Sequence, residues 1–105
     1  NISDIAGLLP WKDYPVHSIS KIGVEMLTKL AALEYAPRVR VNAVAPGPIL
    51  KPAHMTDHRW DQIGHALPLG KTGEPADVTR AVLFLLKQEF ITGESLVVDG
   101  GNQLV

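Results

Sequence analysis

His17 and Lys21 stand four residues apart. On a helix that spacing puts both side chains on one face. An imidazole donates a proton near neutral pH, and an ammonium one turn away supplies positive charge beside it. The same pair also reads as two solvated helix charges, and spacing alone leaves both readings open. Pro46-Gly47-Pro48-Ile49 follows a run of β-branched residues. In an open α/β sheet, ligands bind beyond the carboxyl end of a strand, although a strand-ending turn explains the Pro-Gly pair as well. His54, His58 and His65 invite a metal reading, but nothing joins them to carboxylates at ligand spacing on a firm helix. No metal is expected.

The elements that must position these residues follow from periodicity. Asn1 to Ser3 reads as the tail of a strand, and Asp4 to Tyr14, with Gly7 and Pro10, as a loop. From Pro15 to Ala36 the pattern is helical. Ile19, Ile22, Met26, Leu30 and Leu33 form one apolar stripe, and Gly23, Leu27 and Ala31 a second. Such a helix packs against two things, a sheet and a neighbouring helix. Arg38 to Ala45 reads as a strand. A long segment from Ile49 to Gly73 contains a short helix near Thr56 to His65, with Thr56 as its cap. Glu74-Pro75 opens another helix, with Val78, Ala81, Val82, Leu85 and Leu86 as its buried stripe. A turn at Thr92-Gly93 leads to a strand from Ser95 to Asp99, then Gly100-Gly101.

This alternation implies βαβ units and an α/β fold, a parallel sheet covered by helices on both faces. Two strands and a stub leave open edges. The expectation is therefore a single partial domain over residues 1–105, the C-terminal part of a doubly wound sheet. Another polypeptide, a longer parent chain or a copy of itself would complete it. The chain opens on Asn1 rather than Met, which adds the expectation of upstream residues. With 10 Lys and Arg against 11 Asp and Glu, the formal net charge is -1. That balance gives no electrostatic reason to expect nucleic acid or an anionic membrane. The absence of Cys excludes disulfides and thiolate metal sites.

Four stretches in order carry a family resemblance. They are Asn1-Ile2-Ser3-Asp4-Ile5-Ala6-Gly7, Asp13 through Lys21, Arg40 through Gly47, and Thr92-Gly93 through Val98-Asp99-Gly100-Gly101. Together they resemble the short-chain dehydrogenases/reductases over nearly the whole chain, as a C-terminal half of that Rossmann-like fold. The family signature is Tyr-x-x-x-Lys. Lys21 matches its Lys, and His17 stands where the Tyr belongs. Asp4, at a position where most members carry Ser, looks like the pteridine reductase group. The family's Gly-rich nucleotide fingerprint is absent from these residues, so the N-terminal nucleotide-binding half is expected to lie outside them.

The resemblance implies an NADP(H)-dependent oxidoreductase, with NAD(H) as a second possibility. It would transfer hydride to a pterin or a related carbonyl or imine. The implied catalytic residues are Asp4, as orienter or proton relay, His17, as altered acid, and Lys21. The implied cofactor-binding residues are Lys21, through the nicotinamide ribose, and Pro46, Gly47 and Ile49, through the backbone at the nicotinamide amide. The loop from Leu50 to Leu69 would be a substrate lid, with Met55, Trp60 and Leu67 lining an apolar pocket. The family also implies a homo-oligomer or a complementing N-terminal half, a small-molecule substrate and a cytoplasmic location. The competing expectation is a non-catalytic pseudo-enzyme or interaction module of the same fold, favoured by His17 and by the missing half.

Overall fold

A computed structural model describes residues 1–105. It contains α1 (Pro15–Tyr35), β1 (Ala43–Pro46), α2 (Asp57–Ala66), α3 (Pro75–Lys87) and β2 (Ser95–Val98). Single 3-10 turns lie at Ile5–Gly7 and Asn102–Leu104. Local chemistry sets most of these boundaries. Pro15 and Pro75 occupy first turns, where a missing N–H costs nothing. Ala36 is extended, as a residue before proline must be, and ends α1. The Thr56 hydroxyl accepts from the Arg59 N–H at 3.2 Å and caps α2. The Asp77 carboxylate accepts from the Glu74 N–H at 2.9 Å and fixes the start of α3.

β1 and β2 pair in parallel, with Ala43 opposite Ser95 and Pro46 opposite Val98. Asn1 to Ser3 joins the other edge of β1 through a bridge between Ile2 and Val44. There the Ser3 N–H donates to the Val44 carbonyl at 2.8 Å. The α/β class and the parallel sheet agree with the sequence reading. Side chains alternate across the strands. Val44, Leu96 and Val98 face α3 and pack with Ala81, Leu85, Val78 and Val82. The opposite face meets α1, where the Ser95 hydroxyl donates to Glu25 Oε1 at 3.1 Å.

Two expectations need correction. The first strand does not begin at Arg38. Residues 38–42 instead tie the sheet to the end of α3. The Arg40 guanidinium donates to the carbonyls of Leu85, Leu86 and Ile91. Asn42 donates to Ile91 as well, and the Val41 main chain is taken by Thr92 and Gly93. The second correction concerns α1. Its stripe of Ile19, Ile22, Met26, Leu30 and Leu33 faces outward, with Leu33 78% exposed. The buried face is Glu25, Thr28 and Ala32. Ala43 and Ala45 are buried in the sheet, and Ser95 and Asn1 satisfy the Glu25 and Thr28 oxygens. Leu86 likewise lies outside the α3 core, 66% exposed.

Arg40 satisfies carbonyls that a helix end leaves without partners. Arg40→Ala is therefore expected to destabilise the fold by about 2–3 kcal/mol, because several charge-assisted bonds are lost together. A thermal melt followed by circular dichroism should show a midpoint lower by roughly 10 °C. No helix is long and apolar enough to cross a membrane.

Candidate active site

A cleft of about 1010 Å³ opens beyond the carboxyl end of β1. Its floor is Pro46 to Leu50, which continues directly from the strand. Asp4, Ile5, Trp11 and Tyr14 form one wall. Met55, Trp60 and Ile63, on the segment carrying α2, form the other. This is the place that the topology of an open α/β sheet reserves for ligands.

Asp4 is held in extended conformation as the cap of the Ile5–Gly7 turn, and its Oδ1 accepts from the Ala6 N–H at 2.8 Å. Its Oδ2 lies 3.5 Å from His17 Nε2. The His17 ring is flanked by Trp11, with centroids 6.0 Å apart. The Trp11 N–H in turn donates to Ser18 Oγ at 3.2 Å. One helical turn on, Lys21 Nζ donates to the Ser3 carbonyl at 3.4 Å. Asp4, His17 and Lys21 thus gather where the Asn1–Ser3 segment ends against α1. Asp4 lines the cleft; His17 and Lys21 do not.

Pro46, Gly47 and Ile49 lie on the cleft floor. The Gly47 N–H is used within the fold, donating to the Val98 carbonyl at 2.9 Å. Pro48 accepts from the Gly73 N–H at 3.0 Å. The Ile49 N–H and carbonyl make no hydrogen bond within the chain. Ile49 is half-buried on the cleft floor, and its unpartnered main-chain donor and acceptor suit an amide-bearing ligand. The residues present therefore fit the nicotinamide end of a dinucleotide.

Met55 and Trp60 line the cleft as the sequence suggested, but Leu67 does not. It is buried beneath the loop against the Gly100 turn, where it packs the segment down. His54 lines the cleft, whereas the His58 ring sits 3.1 Å from the Gln62 amide on α2. Sequence reasoning missed Trp11, Tyr14, Thr79 and Asn102 as cleft residues. Two aromatics in a short polar loop were the available signal for the first pair.

The entrance to α2 is tied by an ion pair between Lys51 and Asp57. Its hydrogen bond, and then its charge, hold the Asp57 carboxyl below the usual carboxylate range. A depressed value means that the tie is fully present above the ordinary carboxylate range. It is lost as pH falls through the lowered value. Lys51→Met is expected to move the Asp57 titration upward toward an ordinary carboxylate, read by carboxyl carbon NMR.

A family model described as enoyl-(acyl carrier protein) reductase matches residues 1–103. The carbonyl reductase family member 4 of Danio rerio is 44% identical over 107 residues, covering 100% of this chain and 44% of its own length. The crystal structure of a small-chain dehydrogenase in complex with NADPH superposes with a TM-score of 0.91 at 32% identity, covering 99% of this chain and 50% of that one. The alternative dihydrofolate reductase FolM of Brucella suis, in complex with NADP, superposes at 0.89 with 31% identity, over 100% and 42% of the two chains. The chain thus spans about half the length of the relatives it matches.

Proposed function

The chain belongs to the short-chain dehydrogenase/reductase family, and from that premise we propose that it is the catalytic half of an NADP(H)-dependent reductase, with NAD(H) the less favoured donor. The observation that carries this reading is the gathering of Asp4, His17 and Lys21 beside the cleft beyond β1, with Asp4 on its lining. Lys21 would hold the nicotinamide ribose, and Ile49, beside Pro46 and Gly47, would meet the nicotinamide amide through its free main-chain groups. When bound, the reduced dinucleotide supplies the hydride. The substrate then needs a proton at the neighbouring heteroatom, and the Asp4–His17 pair would give it.

The substrate class we propose is a pterin or a related cyclic carbonyl or imine. A planar ring fits a cleft walled by Trp11 and Trp60, with one carboxylate to orient it. A nucleotide-binding half, in the same polypeptide or a separate one, would complete the sheet beyond the Asn1–Ser3 edge. Homo-oligomerisation and a cytoplasmic location belong to the same proposal.

The test is NADPH oxidation by the chain, alone and joined to a matching nucleotide-binding half, against a panel of pterins and cyclic ketones. Turnover only by the completed domain is the expected result. Absence of turnover in both would leave the non-catalytic reading, which His17 in the Tyr position favours. Both tryptophans of the chain line the cleft, so quenching of intrinsic fluorescence reports binding independently of turnover.

A further inference from the structure

We propose that the substrate is a cyclic iminium cation, a C=N bond that already carries its positive charge, rather than a neutral ketone or imine. The inference rests on the reductase reading and narrows its substrate class. The charges on the cleft lining point to it. Asp4 is the one acidic side chain there, and no lysine or arginine lines the cleft. His17 and Lys21 are off the lining, and His54, which is on it, is exposed. Asp4 Oδ1 accepts from the Ala6 N–H at 2.8 Å, and Oδ2 lies 3.5 Å from His17 Nε2. A carboxylate offers about four acceptor positions, so these contacts fix Asp4 without exhausting it. The walls around it are aromatic. Trp11 and Tyr14 meet edge to face, with centroids 6.3 Å apart and planes at 65°, and Trp60 stands on the other wall. Aromatic faces attract a cation, most strongly where water is excluded.

Hydride transfer separates the two kinds of substrate. A ketone that takes a hydride becomes an alkoxide. Here that anion would form in the same cleft as the Asp4 carboxylate, with no lysine or arginine on the lining to offset it, and like charges in an apolar site repel. An iminium ends neutral instead. Its carbon takes the hydride of a reduced nicotinamide dinucleotide, which is thereby oxidised. The π electrons of C=N pass to nitrogen as a lone pair, and the positive charge is cancelled. No bond to hydrogen forms at nitrogen during the step. The proton otherwise asked of Asp4 and His17 is not required for this substrate, so an imidazole in place of a phenol at position 17 is compatible with turnover.

Two matched bicyclic probes test this. One is an N-methyl dihydroisoquinolinium, a permanent cation near neutral pH. The other is α-tetralone, a neutral ketone of similar shape. In this chain, the indole N–H signals of Trp11 and Trp60 report binding by nitrogen NMR. The cation is expected to bind about 10-fold more tightly than the ketone. Asp4→Asn, which keeps the acceptor for Ala6, is expected to lose about that factor for the cation and nothing for the ketone. Equal wild-type affinity for the two probes would overturn the proposal, as would a cation affinity unchanged in Asp4→Asn. In the completed domain, NADPH oxidation above the background of the dinucleotide alone is expected with the iminium and not with the ketone. Turnover of pterins or cyclic ketones without turnover of the iminium would leave the reductase reading standing and overturn this inference. Turnover of no compound at all would sink both, even with the cation bound.

Discussion

Lys21→Met is expected to cut kcat/KM of the completed reductase by about 100-fold, which is roughly 3 kcal/mol of lost transition-state binding. Methionine keeps the unbranched stem and removes the charge with its three donors. The wild-type ammonium is half-buried, one helical turn from His17, and makes only one long bond, 3.4 Å, to the Ser3 carbonyl. Its remaining donors are free for ribose hydroxyls. Because that single bond is weak, thermal stability should change little, and the loss should appear in both NADPH affinity and rate. Lys21→Arg is expected to rescue poorly, since a planar fork does not reproduce a compact point charge at the end of a flexible stem. Titration of NADPH against tryptophan fluorescence measures the binding part, and stopped-flow absorbance the rate. Equal affinity and equal rate in Lys21→Met would return Lys21 to the status of a solvated helix charge.

The sequence made some of this arrangement readable and hid the rest for physical reasons. Thr56 before α2 and Pro75 at the start of α3 act within a few residues of themselves, so the pattern alone located those helices. That the two strands lie in a parallel sheet followed from the alternation of elements. The inward face of α1 did not follow, because the partner decides which stripe is buried. Glu25 finds the Ser95 hydroxyl across the layer, and the Thr28 hydroxyl finds the Asn1 side chain. Periodicity, blind to such pairs, chose the more hydrophobic stripe. That stripe now faces outward on the molecule, as expected of a helix that also packs against a neighbouring layer. Residues 38–42 failed as a strand for a similar reason: Arg40 and Asn42 spend their side chains on carbonyls far along the chain. In the candidate site, the four-residue spacing put His17 and Lys21 on one side of a helix, and the family resemblance singled out Asp4. Their separation along the chain gave no reason to bring Asp4 Oδ2 to His17, and the role of Trp11 beside the imidazole was invisible.

That contact depends on how closely the Ile5–Gly7 turn approaches α1, and Gly7 sets the approach. A Cβ at Gly7 would lie 2.8 Å from the Lys21 carbonyl carbon, 2.9 Å from its oxygen and 3.0 Å from the Ile22 nitrogen. All three are main-chain atoms inside a helix and cannot swing aside. Gly7→Ala must therefore push the turn off the helix or unwind the helix locally. The expected cost is about 2–3 kcal/mol, the upper part of the overpacking range, with a melting midpoint lower by roughly 10 °C. Asp4 caps that same turn, so the displacement also carries Oδ2 away from His17. The substitution is thus expected to lower the rate of the completed domain at temperatures where it is still folded, and to shift the ring resonances of His17 as Asp4 moves away. Gly23 provides the control. It lies on the exposed side of α1, and a Cβ there meets nothing within 4 Å. Gly23→Ala should stabilise by about 0.5–1 kcal/mol through helix propensity alone and leave the His17 spectrum unchanged. A Gly7→Ala protein as stable as wild type, with His17 undisturbed, would show that the turn does not seat Asp4 against the helix.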